Sequence, residues 1–255
     1  MIIKNVAIKA VKEAGVILMN NIHKIKSVGL KQRNDYVTNI DIEVESRIKE
    51  IIQSNFPEHH GIVAEESGIE KKDSEYIWFI DPISSTGNYI HGLPHFAVSV
   101  AVQKNSEFVL AAVYDPYYDE LFYTEKGRGA FLNNKIINIS NTDELSRAII
   151  CIGIHKKGDA KTKEGLKYFE KIVSTHAEFR RIGSTSLQVC YVACGRIDAH
   201  INNHSDIFAI PSGKLILEEA GGVVTDFNNN PWNLSSKTIV ASNGKFHKTL
   251  IALLK

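Results

Sequence analysis

The chain has 255 residues, 44% apolar and 23% charged, a composition expected of a water-soluble globular protein with enough apolar material for a large core. Its formal charge of +1 gives no reason to expect nucleic acid or an anionic membrane as a partner. No apolar run approaches the length of a membrane span, no signal-peptide pattern opens the sequence, and three cysteines without framework spacing point to a reducing cytoplasm.

Residues 3–22 place Ile3, Val6, Ala7, Ala10, Val11, Ala14, Ile17 and Leu18 at helical spacing, which predicts an amphipathic first helix. Lys31 to Asp41 is polar and leads into a second helix with an apolar stripe of Ile42, Val44, Ile48, Ile51 and Ile52. Asp41 opens that helix, where the macrodipole favours an acid. The apolar run Ile62-Val63-Ala64 ends on Glu65-Glu66-Ser67. Tyr76 to Ile80 reads as a buried strand ending on Asp81, and a turn of small residues, Pro82-Ile83-Ser84-Ser85-Thr86-Gly87-Asn88, follows it. Two strand ends that bring Glu65 and Asp81 together make an oxygen-rich pocket suited to Mg²⁺.

From 96 to 138, apolar or alternating runs (Phe96–Val102, Phe108–Tyr114, Glu120–Tyr123, Gly129–Leu132, Ile136–Ile139) are separated by turn signals such as Asp115-Pro116 and Asn133-Asn134, which predicts an antiparallel meander. After Asn141 the rhythm becomes strand and helix in alternation: strands at Ala148–Ile154, Phe179–Ile182, Ile197–Ile201, Val223–Thr225 and Thr238–Ala241, and helices at 162–175, Ser184–Cys194, Pro211–Ala220 and 245–254. That divides the chain into an N-terminal α+β half, 1–143, and a C-terminal α/β half, 144–255, within one compact unit. Cys190 and Cys194, four apart on a helix among apolar neighbours, read as core.

Three motifs carry a family resemblance. Ala64-Glu65-Glu66-Ser67 is similar to a Gly-Glu-Glu-Ser strand end. The run from Trp78 to Pro94 resembles Trp-x-Ile-Asp-Pro-Ile-Asp-Gly-Thr-x-Asn-Phe-x-His-Gly-x-Pro. Phe208-Ala209-Ile210-Pro211-Ser212-Gly213 followed by Glu219-Ala220-Gly221-Gly222 resembles Trp-Asp-x-Ala-Ala-Gly and Glu-Ala-Gly-Gly. These motifs are those of the inositol monophosphatase family of Mg²⁺-dependent sugar-phosphate phosphatases, and the likeness extends over about residues 5–250. It implies a layered α/β sandwich of the inositol monophosphatase and fructose-1,6-bisphosphatase type, and a homodimer.

The resemblance also implies a two-metal site. Its ligands would be Glu65, Asp81, the carbonyl of Ile83, and aspartates at positions 84 and 209, with Asp41 and Thr86 holding the attacking water. Here those two aspartates are Ser84 and Ala209, so the four carboxylates of the pattern fall to two. A carboxylate facing a cation at ~4 Å is worth about 4 kcal/mol at an effective dielectric of about 20. With a tenfold change in affinity per ~1.4 kcal/mol, the second metal is expected to be lost, leaving at most a weak Mg²⁺ on Glu65, Asp81 and Ile83. Ser85 replaces a glycine beside the phosphate position, Asn202 replaces an acid that binds polyol hydroxyls, and Ser184 and Thr185 lie in the segment that approaches substrate.

Asp206 lies on the loop three residues before 209. With His204 and Ser84 or Ser85 it would complete a nucleophile–base–orienter set, against the plainer reading of rim histidines. A transition-metal site from His95, His204 and Asp81 is a rarer possibility, and His200 matches no family position. The leading expectation is a diverged member that binds a small polyol, sugar phosphate or related metabolite and has lost efficient Mg²⁺-dependent hydrolysis. The rivals are a weak one-metal phosphatase and a non-catalytic dimeric scaffold or regulatory partner.

Overall fold

Helix α1 (Ile2–Asn21) buries Val6, Ala7, Ala10, Val11, Ala14 and Leu18, the face that the spacing predicts. Gly15 shares that face because any side chain there would run into the Tyr114 ring. The computed structural model describes residues 2–25, 27–32, 35–57, 60–70, 73–154 and 159–255; the side chains of Lys31 and Asp35 lie outside the described ones. Helix α2 (Asn39–Asn55) buries Ile40, Val44, Ile48, Ile51 and Ile52, whereas Ile42 is 56% exposed. Residues two apart on a helix diverge by about 200°, so Ile42 and Val44 cannot share a stripe, and Ile40 takes the inner place.

Between the helices stands a hairpin absent from the sequence reading, β1 (Val28–Gln32) with β2 (Asp35–Thr38), in the stretch read only as polar. The main sheet then takes β3 (His60–Ala64), β4 (Gly68–Glu70), β5 (Tyr76–Ser84), β6 (Ala97–Lys104), β7 (Glu107–Asp115), β8 (Glu120–Glu125), β9 (Ala130–Leu132) and β10 (Lys135–Ile137). Its strand order is β10-β9-β8-β7-β6-β5-β3-β4, so β6 to β10 form the expected antiparallel meander. Among the described residues of this sheet, only β3 and β5 run parallel. Period two is plain in β6: Val98, Val100 and Val102 enter the core under α1 and α2, and Ala97 turns to the opposite core.

A second sheet, in the order β12-β11-β13-β15-β14, is built from β11 (Ile149–Gly153), β12 (Glu178–Arg180), β13 (Ala199–Asn202), β14 (Val223–Thr225) and β15 (Ile239–Ser242). Helices α5 (Thr185–Ala193) and α6 (Ile210–Glu219) lie between the two sheets and bury both flanks. α4 (Asp159–Val173) and α7 (His247–Leu254) close the outer face of the second sheet. The result is a layered α/β sandwich, helix–sheet–helix–sheet–helix, as expected.

Candidate active site

The cavity forms where strands stop. β3 pairs with β5 only as far as Ala64 opposite Ile80, so the β3 side of Asp81 to Ser84 is left open. On its other side β5 continues along β6 through an irregularity between Asp81 and Ser84, and Pro82 sits in it, a place where a missing N–H costs no ladder bond. The strand thus runs four residues beyond the Ile80 end read from the sequence, and short helix α3 (Thr86–Ile90) follows in place of a plain turn. In the second sheet, β11 and β13 run parallel and end together at Gly153 and Asn202. The opening between these strand ends is a cavity of about 620 Å³.

Ten of the residues singled out from the sequence line it: Glu65, Asp81, Ile83, Ser84, Ser85, Thr86, Thr185, Asn202, Asp206 and Ala209. Two more stand behind the wall. Asp41 accepts Thr86 Oγ1 on Oδ1 at 3.0 Å, and its Oδ2 accepts the backbone N–H and hydroxyl of Thr38 at 2.7 and 2.6 Å. The macrodipole reading of Asp41 is therefore joined by a capping box that fixes its carboxylate against Thr86. Ser184, fully buried at the N-cap of α5, donates its hydroxyl to Ser84 Oγ at 2.9 Å.

Electrostatics centre on Asp81, which is 2% exposed. Burial holds its carboxyl well above the usual carboxylate range; the charges of Glu65 and Asp206 push the same way, a hydrogen bond from Ser84 opposes them, and Asp41 adds a smaller push. Ser84 thus accepts from Ser184 and donates to Asp81, a relay from α5 to the end of β5. Asp81 Oδ1 is buried and has no hydrogen-bond partner among the described residues. Asp206 is occupied on one oxygen: Oδ1 accepts the N–H groups of Phe208 and Ala209 at 2.9 and 3.3 Å and so starts α6, where Ala209 itself has no side chain to cap with. Its charge nonetheless reaches Asp81.

Ser85 adopts a left-handed backbone, φ 80° and ψ 62°, which a glycine would hold without strain. Gly183, opposite, has φ +115°, and a side chain on it would meet Asn88 Nδ2 at 2.7 Å. Asn88 spends that amide on the carbonyls of His95 (2.7 Å) and Ile182 (2.8 Å), tying α3 to the segment before α5.

Other expectations fare differently. His204 does not line the cavity; its N–H donates to Asn202 Oδ1 at 3.1 Å. Of the set Ser84 or Ser85 with His204 and Asp206, Ser84 is engaged by Ser184, and Asp206 Oδ1 by the backbone N–H groups of Phe208 and Ala209. His200 is fully buried within β13, and burial lowers it to about 4. Among the described residues, no three His, Cys, Asp or Glu side chains are arranged to hold a metal ion, so His95, His204 and Asp81 do not converge on one. The sequence reading missed Tyr36, Arg181 and Gln188 in the lining. For Gln188 a signal existed: it lies four residues after Ser184, hence on the same face of α5.

The magnesium implied by the motifs can be tested against these donors. Glu65 and the orphaned oxygen of Asp81 fit a divalent ion. The Ile83 carbonyl accepts Thr86 at 3.3 Å and keeps a second lone pair, the Ser84 oxygen accepts Ser184, and Ala209 has no donor atom in its side chain. When bound, such an ion would supply charge neutralisation for a phosphate.

Parallel strand ends, interlayer helices and a polar cavity at their junction define a layered α/β protein of the sugar-phosphate phosphatase type. The sequence matches the inositol monophosphatase family over residues 3–255, and the chain belongs to that family. Nus factor SuhB of Vibrio cholerae is 37% identical over 250 residues, 97% of this chain and 93% of that one. The fructose-1,6-bisphosphatase/inositol-1-monophosphatase of Aquifex aeolicus is 36% identical over 243 residues, 94% and 90% of the two chains. Among solved structures, extragenic suppressor protein suhB of Bartonella henselae superposes with a TM-score of 0.96 at 31% identity, covering 100% of this chain and 99% of its own. A Thermotoga maritima IMPase superposes at 0.92 with 33% identity, covering 100% and 97%. Among the described residues no helix is long and apolar enough to cross a membrane.

Proposed function

We propose that this protein is a metabolite-binding member of the inositol monophosphatase family in which efficient two-metal phosphomonoester hydrolysis has been lost. The observation that carries the reading is the fate of positions 84 and 209. Ser84 is consumed in the Ser184–Ser84–Asp81 relay, and Ala209 is a buried methyl group at the start of α6. The ligand is a small polyol, sugar phosphate or related metabolite, met by Ser84, Ser85, Thr185, Asn202, Asp206 and the wall at Ala209. Mg²⁺ binds weakly, at one site on Glu65, Asp81 and the Ile83 carbonyl. The halves 1–143 and 144–255 work as one unit, as a cytoplasmic homodimer.

Purified protein with Mg²⁺ and a panel of sugar and nucleotide phosphates is expected to release almost no phosphate. Turnover that disappears in Asp81→Asn and in Thr86→Ala would overturn the reading in favour of a one-metal phosphatase that uses the Asp41–Thr86 pair. A second reading, a regulatory role exerted through macromolecular partners, is favoured by the full-length likeness to proteins named Nus factor SuhB. Under that reading Asp81→Asn leaves function in the cell intact, whereas under the first it removes ligand binding.

A further inference from the structure

We infer that Gln188 is a specificity-determining residue that accepts a hydroxyl hydrogen from the bound ligand; this rests on the metabolite reading above. Gln188 lies in the first turn of α5, is 2% exposed, and lines the same cavity as Asp81 and Asn202. Its amide orientation is not arbitrary. The Ser184 carbonyl accepts both the backbone N–H of Gln188 at 3.0 Å and its side-chain nitrogen at 2.9 Å. A carbonyl only accepts, so the side-chain atom facing it is the NH₂ group, and Oε1 is the atom turned away. That oxygen is buried and has no hydrogen-bond partner among the described residues.

A buried amide oxygen without a donor is an unfavourable arrangement that folded proteins rarely keep unless something completes it. The cavity is the space from which a donor can come. Its neighbours do not supply one: Ser184 directs its hydroxyl to Ser84. What the site lacks at this point is a donor, and a sugar or polyol hydroxyl is one; a fully ionised phosphate oxygen is not. Gln188 therefore selects for a hydroxyl at one ring position of the ligand. Asn202 complements it, since its Oδ1 is taken by the His204 N–H and its NH₂ group remains to meet a ligand oxygen.

The test is calorimetric titration of the full chain, with Mg²⁺ present and phosphate release monitored in parallel, using inositol monophosphate and its monodeoxy analogues. The native protein is expected to lose about tenfold in affinity for the one analogue that lacks the hydroxyl facing Gln188, about 1.4 kcal/mol. In Gln188→Met, which keeps the volume and removes both amide atoms, parent and analogue are expected to bind equally, because the pair has already been broken. Melting curves of the variant control for folding. Equal affinity of all analogues for the native protein, or a uniform loss across the series in Gln188→Met, overturns the inference and leaves metabolite binding standing. A native protein that binds no member of the series overturns the metabolite reading itself, and the role of Gln188 with it.

Discussion

Placing acids at positions 84 and 209 is the most direct probe of the proposed site. In the double variant Ser84→Asp, Ala209→Asp, the new carboxylate at 84 stands within hydrogen-bond reach of Asp81, because Ser84 already bonds it there. Two like charges at about 4 Å repel by about 4 kcal/mol at an effective dielectric of about 20. The Asp at 209 lies at the start of α6, where the helix dipole returns up to about 1 kcal/mol. The metal-free variant is therefore less stable than the native protein by about 3 kcal/mol, a fall in melting temperature of roughly 6–12 °C for a chain of this size. The same four carboxylates that repel each other hold divalent ions, so millimolar Mg²⁺ should return most of that loss while barely moving the native protein. Differential scanning calorimetry with EDTA and with Mg²⁺ reads both effects, and titration calorimetry reads the gain in Mg²⁺ affinity directly. Equal Mg²⁺ affinity in the two proteins would show that positions 84 and 209 do not face a common cation site, and the account of the cavity given above would fall.

Three further outcomes follow from single groups. Ser85→Gly relieves a left-handed backbone that Ser85 holds without any side-chain capping bond, and thermal unfolding should show a gain of up to about 1 kcal/mol; a loss would mean that the hydroxyl makes an interaction the strain conceals. Asp115 is buried, with Oδ1 bound to the N–H groups of Tyr117 and Tyr118 and Oδ2 unpartnered, and burial raises it to about 6. A raised acid binds its proton more tightly in the folded state, so its ionisation lowers stability as pH climbs from about 4 to 6. Asp115→Asn should thus melt higher than the native protein at pH 8 and near it at pH 4; identical differences at both pH values would refute the assignment. Asp81→Asn removes a buried carboxyl that the charges of Glu65 and Asp206 disfavour in its ionised form, and denaturant unfolding at pH 8 should show it more stable by about 1–2 kcal/mol, whereas a less stable variant would mean that the carboxyl has a stabilising partner.

The architecture was readable wherever one face of an element is apolar. The stripe of α1 and the alternation of β6 follow from burial on a fixed side, and the turn residues between 104 and 134 mark the meander. The hairpin of β1 and β2 was not, since Val28 and Leu30 are exposed and no buried face patterns the sequence. The end of β5 was misplaced because Pro82 reads as a stop; the bulge that accommodates it is a property of the β6 pairing, which no local rule contains. For the site, motif spacing brought Glu65, Asp81 and Thr86 to one cavity and suggested Asp206. What a sequence cannot carry is which oxygen is already spent: that Ser84 accepts from Ser184, that Asp206 Oδ1 starts a helix, and that Gln188 Oε1 has no hydrogen-bond partner among the described residues.

That bookkeeping also separates two kinds of acid. Asp41 closes a capping box, Glu45 accepts the N–H groups of Glu66 and Ser67 at 2.7 and 2.9 Å, and Glu219 accepts those of Gly127 and Gly129 at 2.8 and 2.9 Å. Losing any of these would orphan backbone donors and loosen the scaffold, whatever the cavity binds. At 84 and 209 no backbone donor relies on the side chain, and α6 begins on Asp206, whereas at 202 the neutral Asn202 Oδ1 accepts the His204 N–H. An acid at 84 or 209 would serve no backbone donor and would answer to a ligand or a metal. Asp81 is the exception that gives the pattern its direction. It is buried, repelled by Glu65, Asp206 and more weakly Asp41, and its Oδ1 has no hydrogen-bond partner among the described residues, so within the folded chain alone it is a liability. A cavity without any function would gain stability by neutralising Asp81. A carboxylate at that position therefore argues that the cavity still meets a donor or a cation from outside the chain.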